Sequence, residues 1–102
     1  MKVRWTRRAL GHLSEIRDYI ATDSPAAAAR MIAAIFEAAG RLRRFPESGR
    51  PAGVRGGRQY REMIESPYRI LYEKQDDTVF ILAVIHGRRD VAQLIAKWKE
   101  LQ

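Results

Sequence analysis

The chain has 102 residues, which suits one domain with a single core, and we expect residues 1–102 to form that domain. Its 46% hydrophobic and 30% charged content is typical of a globular protein, and no segment approaches the roughly 20 apolar residues that a bilayer requires. The absence of cysteine excludes disulfides, thiolate catalysis and thiolate metal ligands. The N-terminus lacks the apolar segment of a secretory signal, so we expect a cytoplasmic protein.

Positive charge is the first unusual feature of the sequence. Nineteen basic residues against twelve acidic ones give a formal net charge of +7. Fifteen of the basic residues are arginine, whose planar guanidinium pairs with two oxygens of a carboxylate or phosphate at once. Between Arg41 and Arg61 there are seven arginines and one acidic residue, Glu47. The charge is therefore local, and it predicts an arginine-rich surface that meets an acidic partner.

A first strand and a first helix are predicted at the N-terminus. Residues 2–5 alternate between polar and apolar side chains, which is typical of a strand. Thr6 follows as a helix cap, and the helix should run to about Ala21. Its apolar residues recur at three- and four-residue steps and form one stripe: Leu10, Leu13, Ile16 and Ile20, with Tyr19 beside them. His12 is expected to face solvent.

The second helix should begin at Ser24-Pro25, because serine is a favoured cap and proline is tolerated at the first helical position. It should end at Phe45-Pro46, since the residue before a proline avoids helical backbone angles. Its apolar stripe consists of Ile32, Ile35, Phe36, Ala39 and Leu42. The two helices are predicted to form a hairpin. Residues 46–57, with four glycines and two prolines, are predicted to be an irregular loop.

Three strands and a last helix complete the prediction. Residues 59–65 and 68–74 are predicted strands joined at Ser66-Pro67, and the apolar run 79–85 is a predicted central strand covered on both faces. The last helix begins near Asp90, and its stripe either completes the core or meets a partner: Val91, Leu94, Ile95, Trp98 and Leu101. The predicted fold class is α+β, with an N-terminal strand, a helical hairpin, a three-stranded antiparallel meander in a twisted sheet, and a C-terminal helix.

Candidate functional residues lie on the later strands and at their ends. Arg61 and Arg69 are on neighbouring predicted strands, and we expect them to project together from the open face of the sheet beside Arg88 and Arg89. In the alternative interpretation the strand arginines form cross-strand ion pairs with Glu62, Glu65 or Glu73. His86 is the one ordinary acid or base candidate near this surface, although it could equally be structural, and Asp90 could simply cap the last helix.

No metal, cofactor or small-molecule ligand is expected. The two histidines are not at ligand spacing, there is no G-x-S-x-G segment, and no lysine-serine pair follows Gly56-Gly57 as it would in a phosphate-binding loop. Tyr60, Tyr68 and Tyr72 could stack on bases, but their alternation along the strands favours packing in the core.

The order of elements, together with four segments, resembles the RelE/ParE family of bacterial toxins. The segments are Phe45-Pro46-Glu47-Ser48-Gly49-Arg50, Arg61-Glu62, Pro67-Tyr68-Arg69-Ile70-Leu71-Tyr72 and His86-Gly87-Arg88-Arg89-Asp90. The resemblance implies the RelE/ParE toxin fold and a toxin held inactive by a cognate, acidic, partly disordered antitoxin of the ParD type in a hetero-oligomeric complex. The antitoxin would contact loop arginines and the first helix: Arg50, Arg55, Arg58, Leu13, Ile16 and Tyr19.

Two activities occur in the family that this sequence resembles: ribosome-dependent mRNA cleavage, and the poisoning of DNA gyrase by the ParE branch. RNA-cleaving members generally use lysines in a basic loop and often a tyrosine near the C-terminus, whereas here no lysine lies between Lys2 and Lys74, and the last tyrosine precedes His86. The sequence looks more like ParE, so we predict a toxin that binds DNA gyrase and is not an enzyme. Its expected contact residues are Arg61, Arg69, His86, Arg88 and Arg89.

Two alternatives stay open at this point. In a RelE-like mRNA endonuclease, His86 would be the general acid or base, and Arg61, Arg69 and Arg89 would hold the scissile phosphate. A plain nucleic-acid-binding module would account for the charge alone, and its binding would weaken steeply with salt.

Overall fold

Three α-helices and five strands are found in residues 1–98, which are the residues that the computed structural model describes. A single 3-10 turn, Arg41–Arg43, follows the second helix. In chain order the elements are β1 (Lys2–Trp5), α1 (Arg7–Ala21), α2 (Pro25–Gly40), β2 (Arg50–Arg55), β3 (Arg58–Glu65), β4 (Tyr68–Gln75), β5 (Thr78–His86) and α3 (Val91–Lys97). None of these helices is long and apolar enough to cross a membrane.

The five strands form one sheet in the order β1-β5-β4-β3-β2. β1 is parallel to β5, and every other neighbouring pair is antiparallel. The apolar run predicted as a central strand is β5, which lies between β1 and β4 and is buried on both faces. The α+β class, the N-terminal strand, the helical hairpin and the antiparallel meander are thus confirmed.

The meander has four strands where three were predicted. The prediction of an irregular loop over residues 46–57 was wrong for Arg50–Arg55, which pair with β3 through a bulge between Pro51 and Gly53. Gly56 and Gly57 have φ angles of 57° and 79° and form the two-residue hairpin turn that requires positive φ. The glycines and the proline conceal the alternation that marks a strand, and the Gly-Gly pair was the one signal of the hairpin.

The helical hairpin of α1 and α2 packs on one face of the sheet. Both predicted caps are present, since Thr6 Oγ1 accepts a hydrogen bond from the Ala9 N–H at 3.2 Å and Ser24 Oγ accepts one from Ala27 at 3.1 Å. Residues from both helices, the 3-10 turn, β4 and β5 bury one another in this layer: Ala9, Leu13, Ile16, Ile35, Ala38, Ala39, Leu42, Tyr68, Ile70, Tyr72, Val79, Ile81 and Val84.

The buried stripes of α1 and α2 differ from the predicted ones at two positions. Leu10 and Phe36 are partly exposed, while their small neighbours Ala9 and Ala38 are fully buried. Short side chains at the contact allow the helices to approach closely, and the larger residues are turned to its edge. Phe36 packs there against Trp5, with ring centroids 4.7 Å apart.

The last helix, α3, packs on the opposite face of the sheet. Its Val91 and Ile95 are buried together with Trp98, whose ring meets the edge of Tyr60 at a centroid distance of 6.4 Å. The stripe therefore completes the core over the described part of the helix, one of the two alternatives left open. Leu101, which was also predicted to be on this stripe, lies outside the described residues.

β5 extends beyond the end of β1, and side chains from the cap and the body of the first helix cover the edge that this leaves. The Thr6 hydroxyl donates to the Ile81 carbonyl oxygen at 2.8 Å, and His12 Nδ1 accepts from the Val84 N–H at 3.1 Å. The expectation that His12 faces solvent was wrong, because a half-buried backbone N–H requires an acceptor and the imidazole supplies it. A residue that looked incidental in the sequence is part of the sheet edge.

This contact predicts a pH dependence of stability. Burial lowers the pKa of His12 below its usual 6.5; Glu15 opposes the shift, and Arg8 and Arg89 reinforce it. The unfolded chain takes up the proton near pH 6.5 and the folded chain only at lower pH, so the free energy of unfolding should fall as the pH is lowered through 6.5.

Urea unfolding at about pH 7.5 and about pH 5.5 measures the effect. The wild type should lose more stability over this window than His12→Gln, whose amide oxygen accepts a hydrogen bond without titrating. Equal losses in the two proteins would contradict the role given to His12.

Candidate functional site

The turn formed by residues 86–90 joins β5 to α3 and presents Arg88 and Arg89 to solvent. Both arginines are exposed, and within residues 1–98 neither side chain has a hydrogen-bond or ion-pair partner. His86 is exposed as well, and its Nδ1 accepts from the Arg88 N–H at 3.3 Å. Asp90 Oδ1 accepts from the Gln93 N–H at 3.0 Å, so its capping role is confirmed. We call residues 86–90 the cationic turn.

Arg69 lies beneath the cationic turn and holds it to the sheet. Its side chain is only 18% exposed. Nη1 donates to the carbonyl oxygens of Gly87 at 2.9 Å and Arg89 at 3.2 Å. The Gly87 N–H donates in turn to the Pro67 carbonyl at 2.8 Å, and a Cβ on Gly87 would lie 3.2 Å from that oxygen. The path of the turn is therefore determined by contacts on two sides.

The rest of the Arg69 guanidinium binds Glu62, a carboxylate that is 5% exposed. Nε and Nη2 both lie 2.8 Å from Glu62 Oε1, and Arg50 Nε donates to the other oxygen at 2.7 Å. The interpretation in which a strand arginine pairs with Glu62 is confirmed for Arg69. The sequence predicted Glu62 only as a possible ion-pair partner, and its place in the family-like segment Arg61-Glu62 was the one signal that it has a larger role.

Arg61 and Arg69 do not project together, so the prediction that they share one open face was wrong. In the sheet register Arg61 is opposite Tyr72, and Arg69 is opposite Ile64. Since successive side chains of a strand point to opposite faces, the two arginines lie on different sides of the sheet. Arg61 Nη1 donates to the carbonyl oxygens of Gly49 at 2.7 Å and Glu47 at 3.3 Å. Each strand arginine thus holds a neighbouring loop.

Gly49 shows how tightly the loop held by Arg61 is packed. Its N–H donates to the Tyr72 hydroxyl at 2.9 Å, and an added Cβ would lie 2.7 Å from both that oxygen and the Glu62 carbonyl oxygen. Burial raises the pKa of Tyr72 above 10.0. Tyr60 and Tyr68 are buried too, which confirms that the strand tyrosines pack in the core.

The residues expected to contact an antitoxin fall into two groups. The arginines of the β2–β3 hairpin are partly engaged in the fold: Arg50 with Glu62, Arg58 Nη1 with Glu73 at 3.2 Å, and Arg55 Nη1 with the Ile95 carbonyl at 3.1 Å. On α1, Tyr19 is 77% exposed, whereas Leu13 and Ile16 are only 5% and 9% exposed. Leu13 and Ile16 pack in the core with residues of α2 and the sheet, so in the folded domain they leave little surface for a partner.

The site therefore consists of two exposed guanidinium groups and one exposed imidazole on a turn whose backbone is held by Arg69. Among residues 1–98 there is no group of three histidine, aspartate or glutamate side chains close enough to hold a metal ion. The geometry suits the recognition of an acidic or phosphate-bearing surface.

Comparison with known proteins identifies the family. The model of the family described as the ParE toxin of the type II toxin-antitoxin system parDE matches residues 3–91. Y4kP of Sinorhizobium fredii, which carries the name of a toxin, is 40% identical over 94 residues, covering 92% of this chain and 96% of that protein. Toxin RelE2 of Caulobacter vibrioides is 42% identical over 89 residues, covering 86% of this chain and 97% of that protein.

A solved structure agrees with these relatives. A chain of the chromosomal ParDE TA system from P. aeruginosa superposes with a TM-score of 0.72 at 26% identity, covering 84% of this chain and 95% of that one. The protein belongs to the ParE toxin family of type II toxin-antitoxin systems.

Proposed function

We propose that this toxin acts in the cytoplasm by binding DNA gyrase and that a cognate ParD-like antitoxin neutralises it. The observation that carries the proposal is the cationic turn, in which Arg88 and Arg89 are exposed while Arg69 holds the backbone from below. A contact surface that is already ordered loses little conformational entropy on binding. Arginine is also the charged residue most enriched among side chains that dominate interface energies.

The placement of the strand arginines supports recognition over RNA chemistry. Cleavage of a phosphodiester needs an acid, a base and cationic donors that converge on one phosphate. Arg61 and Arg69 lie on opposite faces, and both donate to backbone carbonyl oxygens of this chain. Arginine is protonated at neutral pH and is a poor base, so His86 would have to act without a second proton-transfer group from the buried tyrosines.

The antitoxin is proposed to cover Tyr19 on α1 and exposed arginines such as Arg58 on the β2–β3 hairpin. A net charge of +7 favours an acidic, partly disordered partner, which gains charge complementarity and orders as it wraps. The similarity to a ParDE TA system supports this partner. Co-purification of the toxin with the product of the neighbouring reading frame tests it, and Tyr19→Ala should weaken the complex.

The target is tested by supercoiling assays with purified gyrase and by brief induction of the toxin in cells. We expect the toxin to inhibit supercoiling and induction to change plasmid topology before transcripts are lost. Codon-periodic cuts in ribosome-bound mRNA with unchanged plasmid topology would overturn gyrase as the target.

Ribosome-dependent mRNA cleavage is the second candidate, favoured by the exposed His86 beside two arginines and by the name of the relative RelE2. His86→Ala separates the two functions. An endonuclease should lose most of its cleavage activity with this substitution, since the imidazole is the general acid or base assigned to it. A gyrase-binding toxin should lose only part of its inhibition, because one of its expected contacts is removed while Arg88, Arg89 and the hydrogen bonds that join the turn to Arg69 and Pro67 remain.

A further inference from the structure

We infer that Glu62 and Arg69 are positioning residues, which set the location of Arg88 and Arg89 without touching the target themselves. This inference rests on the proposed function of the cationic turn. It changes the role predicted for Arg69 from a contact residue to an internal support, and it assigns a function to Glu62, which the sequence analysis did not.

All three nitrogens of Arg69 are engaged within the protein. Nε and Nη2 bind one oxygen of Glu62, and Nη1 bridges the carbonyl oxygens of Gly87 and Arg89. A guanidinium is planar, so the pair of contacts to Glu62 orients Nη1 toward the turn. The two carbonyls flank Arg88, and Arg69 therefore constrains the backbone on both sides of it. With its side chain 18% exposed, Arg69 has little surface left for a target.

Glu62 makes this arrangement electrostatically possible. Without it, the guanidinium of Arg69 would lie uncompensated beneath a turn that already carries two positive charges. A carboxylate that is 5% exposed also needs partners on both oxygens, and Arg50 occupies Oε2 so that Oε1 is left for Arg69. Among residues 1–98, the Arg50 side chain makes no hydrogen bond or ion pair to the turn. It binds the same carboxylate as Arg69 without reaching the backbone that Arg69 holds.

Arg50 and Arg69 consequently provide a matched pair of variants. Arg69→Gln and Arg50→Gln each remove one positive charge and one arginine from Glu62, but only the first releases the turn. The direct readout is hydrogen exchange of the Gly87, Arg88 and Arg89 amides, each of which donates a hydrogen bond that depends on the turn. We expect exchange about tenfold faster in Arg69→Gln and unchanged in Arg50→Gln. Growth inhibition should fall about tenfold or more in the first variant only.

Two further variants keep the test decisive if Arg69→Gln folds poorly. Arg69→Lys retains a cation beside Glu62, but one ammonium cannot reach the carboxylate and both carbonyl oxygens, so the turn should still be released. Glu62→Gln keeps the shape of the side chain and removes the charge that orients Arg69. Circular dichroism and the thermal midpoint identify variants that remain folded.

The outcomes are distinct. Faster exchange together with weaker growth inhibition, in folded Arg69 and Glu62 variants and not in Arg50→Gln, supports the inference. Unchanged exchange at the turn, or faster exchange with full toxicity, overturns it. The exchange experiment involves no target, and the gyrase assay with wild-type protein judges the proposed function separately, so a failure of one is not mistaken for a failure of the other.

Discussion

Replacing Arg88 and Arg89 together by alanine is expected to abolish growth inhibition while leaving the fold intact. Both side chains are exposed, and neither has a partner among the described residues, so their removal breaks no internal contact there. The hydrogen bonds from Arg69 to the turn go to the backbone carbonyl oxygens of Gly87 and Arg89, and alanine at position 89 keeps that carbonyl. An arginine at the centre of an interface contributes about 2 kcal/mol, so loss of two should weaken target binding about a thousandfold.

The matched control removes the same charge elsewhere. Arg30→Ala with Arg41→Ala lowers the net charge by two on the exposed side of α2 and at its end, far along the chain from the cationic turn. Long-range steering by net charge would weaken both double variants to a similar extent, especially at low salt. If Arg88 and Arg89 contact the target specifically, growth inhibition should fall only in the Arg88→Ala, Arg89→Ala variant. Full toxicity of Arg88→Ala with Arg89→Ala, at unchanged expression, would show that the target-binding surface lies elsewhere.

Gly49→Ala is expected to destabilise the fold by about 3 kcal/mol. The new Cβ would lie 2.7 Å from the Glu62 carbonyl oxygen and from the Tyr72 hydroxyl, which are held in the sheet and in the core. Relief of the overlap requires movement of the loop, and this in turn strains the hydrogen bonds from Gly49 to Tyr72 and from Arg61 to Gly49. Urea denaturation measures the change in the free energy of unfolding, provided that its linear dependence on urea concentration has the same slope in the variant as in the wild type.

Gly11→Ala is the same substitution at another site, and here we expect it to raise the free energy of unfolding. Gly11 lies inside α1 with nothing within 4 Å of an added Cβ. Alanine in an exposed helix interior restricts the unfolded chain and should stabilise the protein by up to about 1 kcal/mol. Similar free energies of unfolding for the two variants would contradict the close packing described at Gly49.

Local chemistry made much of the fold predictable. Thr6, Ser24 and Asp90 cap the three helices as expected, because a side-chain oxygen that satisfies a free N–H acts over three residues and needs no tertiary partner. The apolar run of β5 predicted a strand buried on both faces, and it lies within the sheet with helices on either side. The helix caps and the apolar run are set by residues close together in the chain, and they can therefore be recognised without knowledge of the tertiary structure.

Long-range pairing was not predictable in the same way. The strand β2 was missed because its bulge, Gly53 and Pro51 interrupt the two-residue alternation, and it is stabilised chiefly by pairing with β3. His12 was misplaced because the free edge of β5 exists only where β1 ends beside it. Helical periodicity locates a stripe but not its exact edge, and Leu10 fell outside it.

The sequence alone determined the family resemblance, the arginine-rich charge and the exposed basic pair after β5, since each depends on residue type and order. Only the tertiary structure decided which arginines are available. Strand register places Arg61 and Arg69 on opposite faces, and the sheet brings Glu62 between Arg50 and Arg69. Register depends on how two strands align across a turn, and a shift of one residue exchanges the faces. The difference between Arg88 and Arg89, whose side chains are exposed at the turn, and Arg61 and Arg69, whose side chains hold neighbouring loops, is therefore a property of the folded chain.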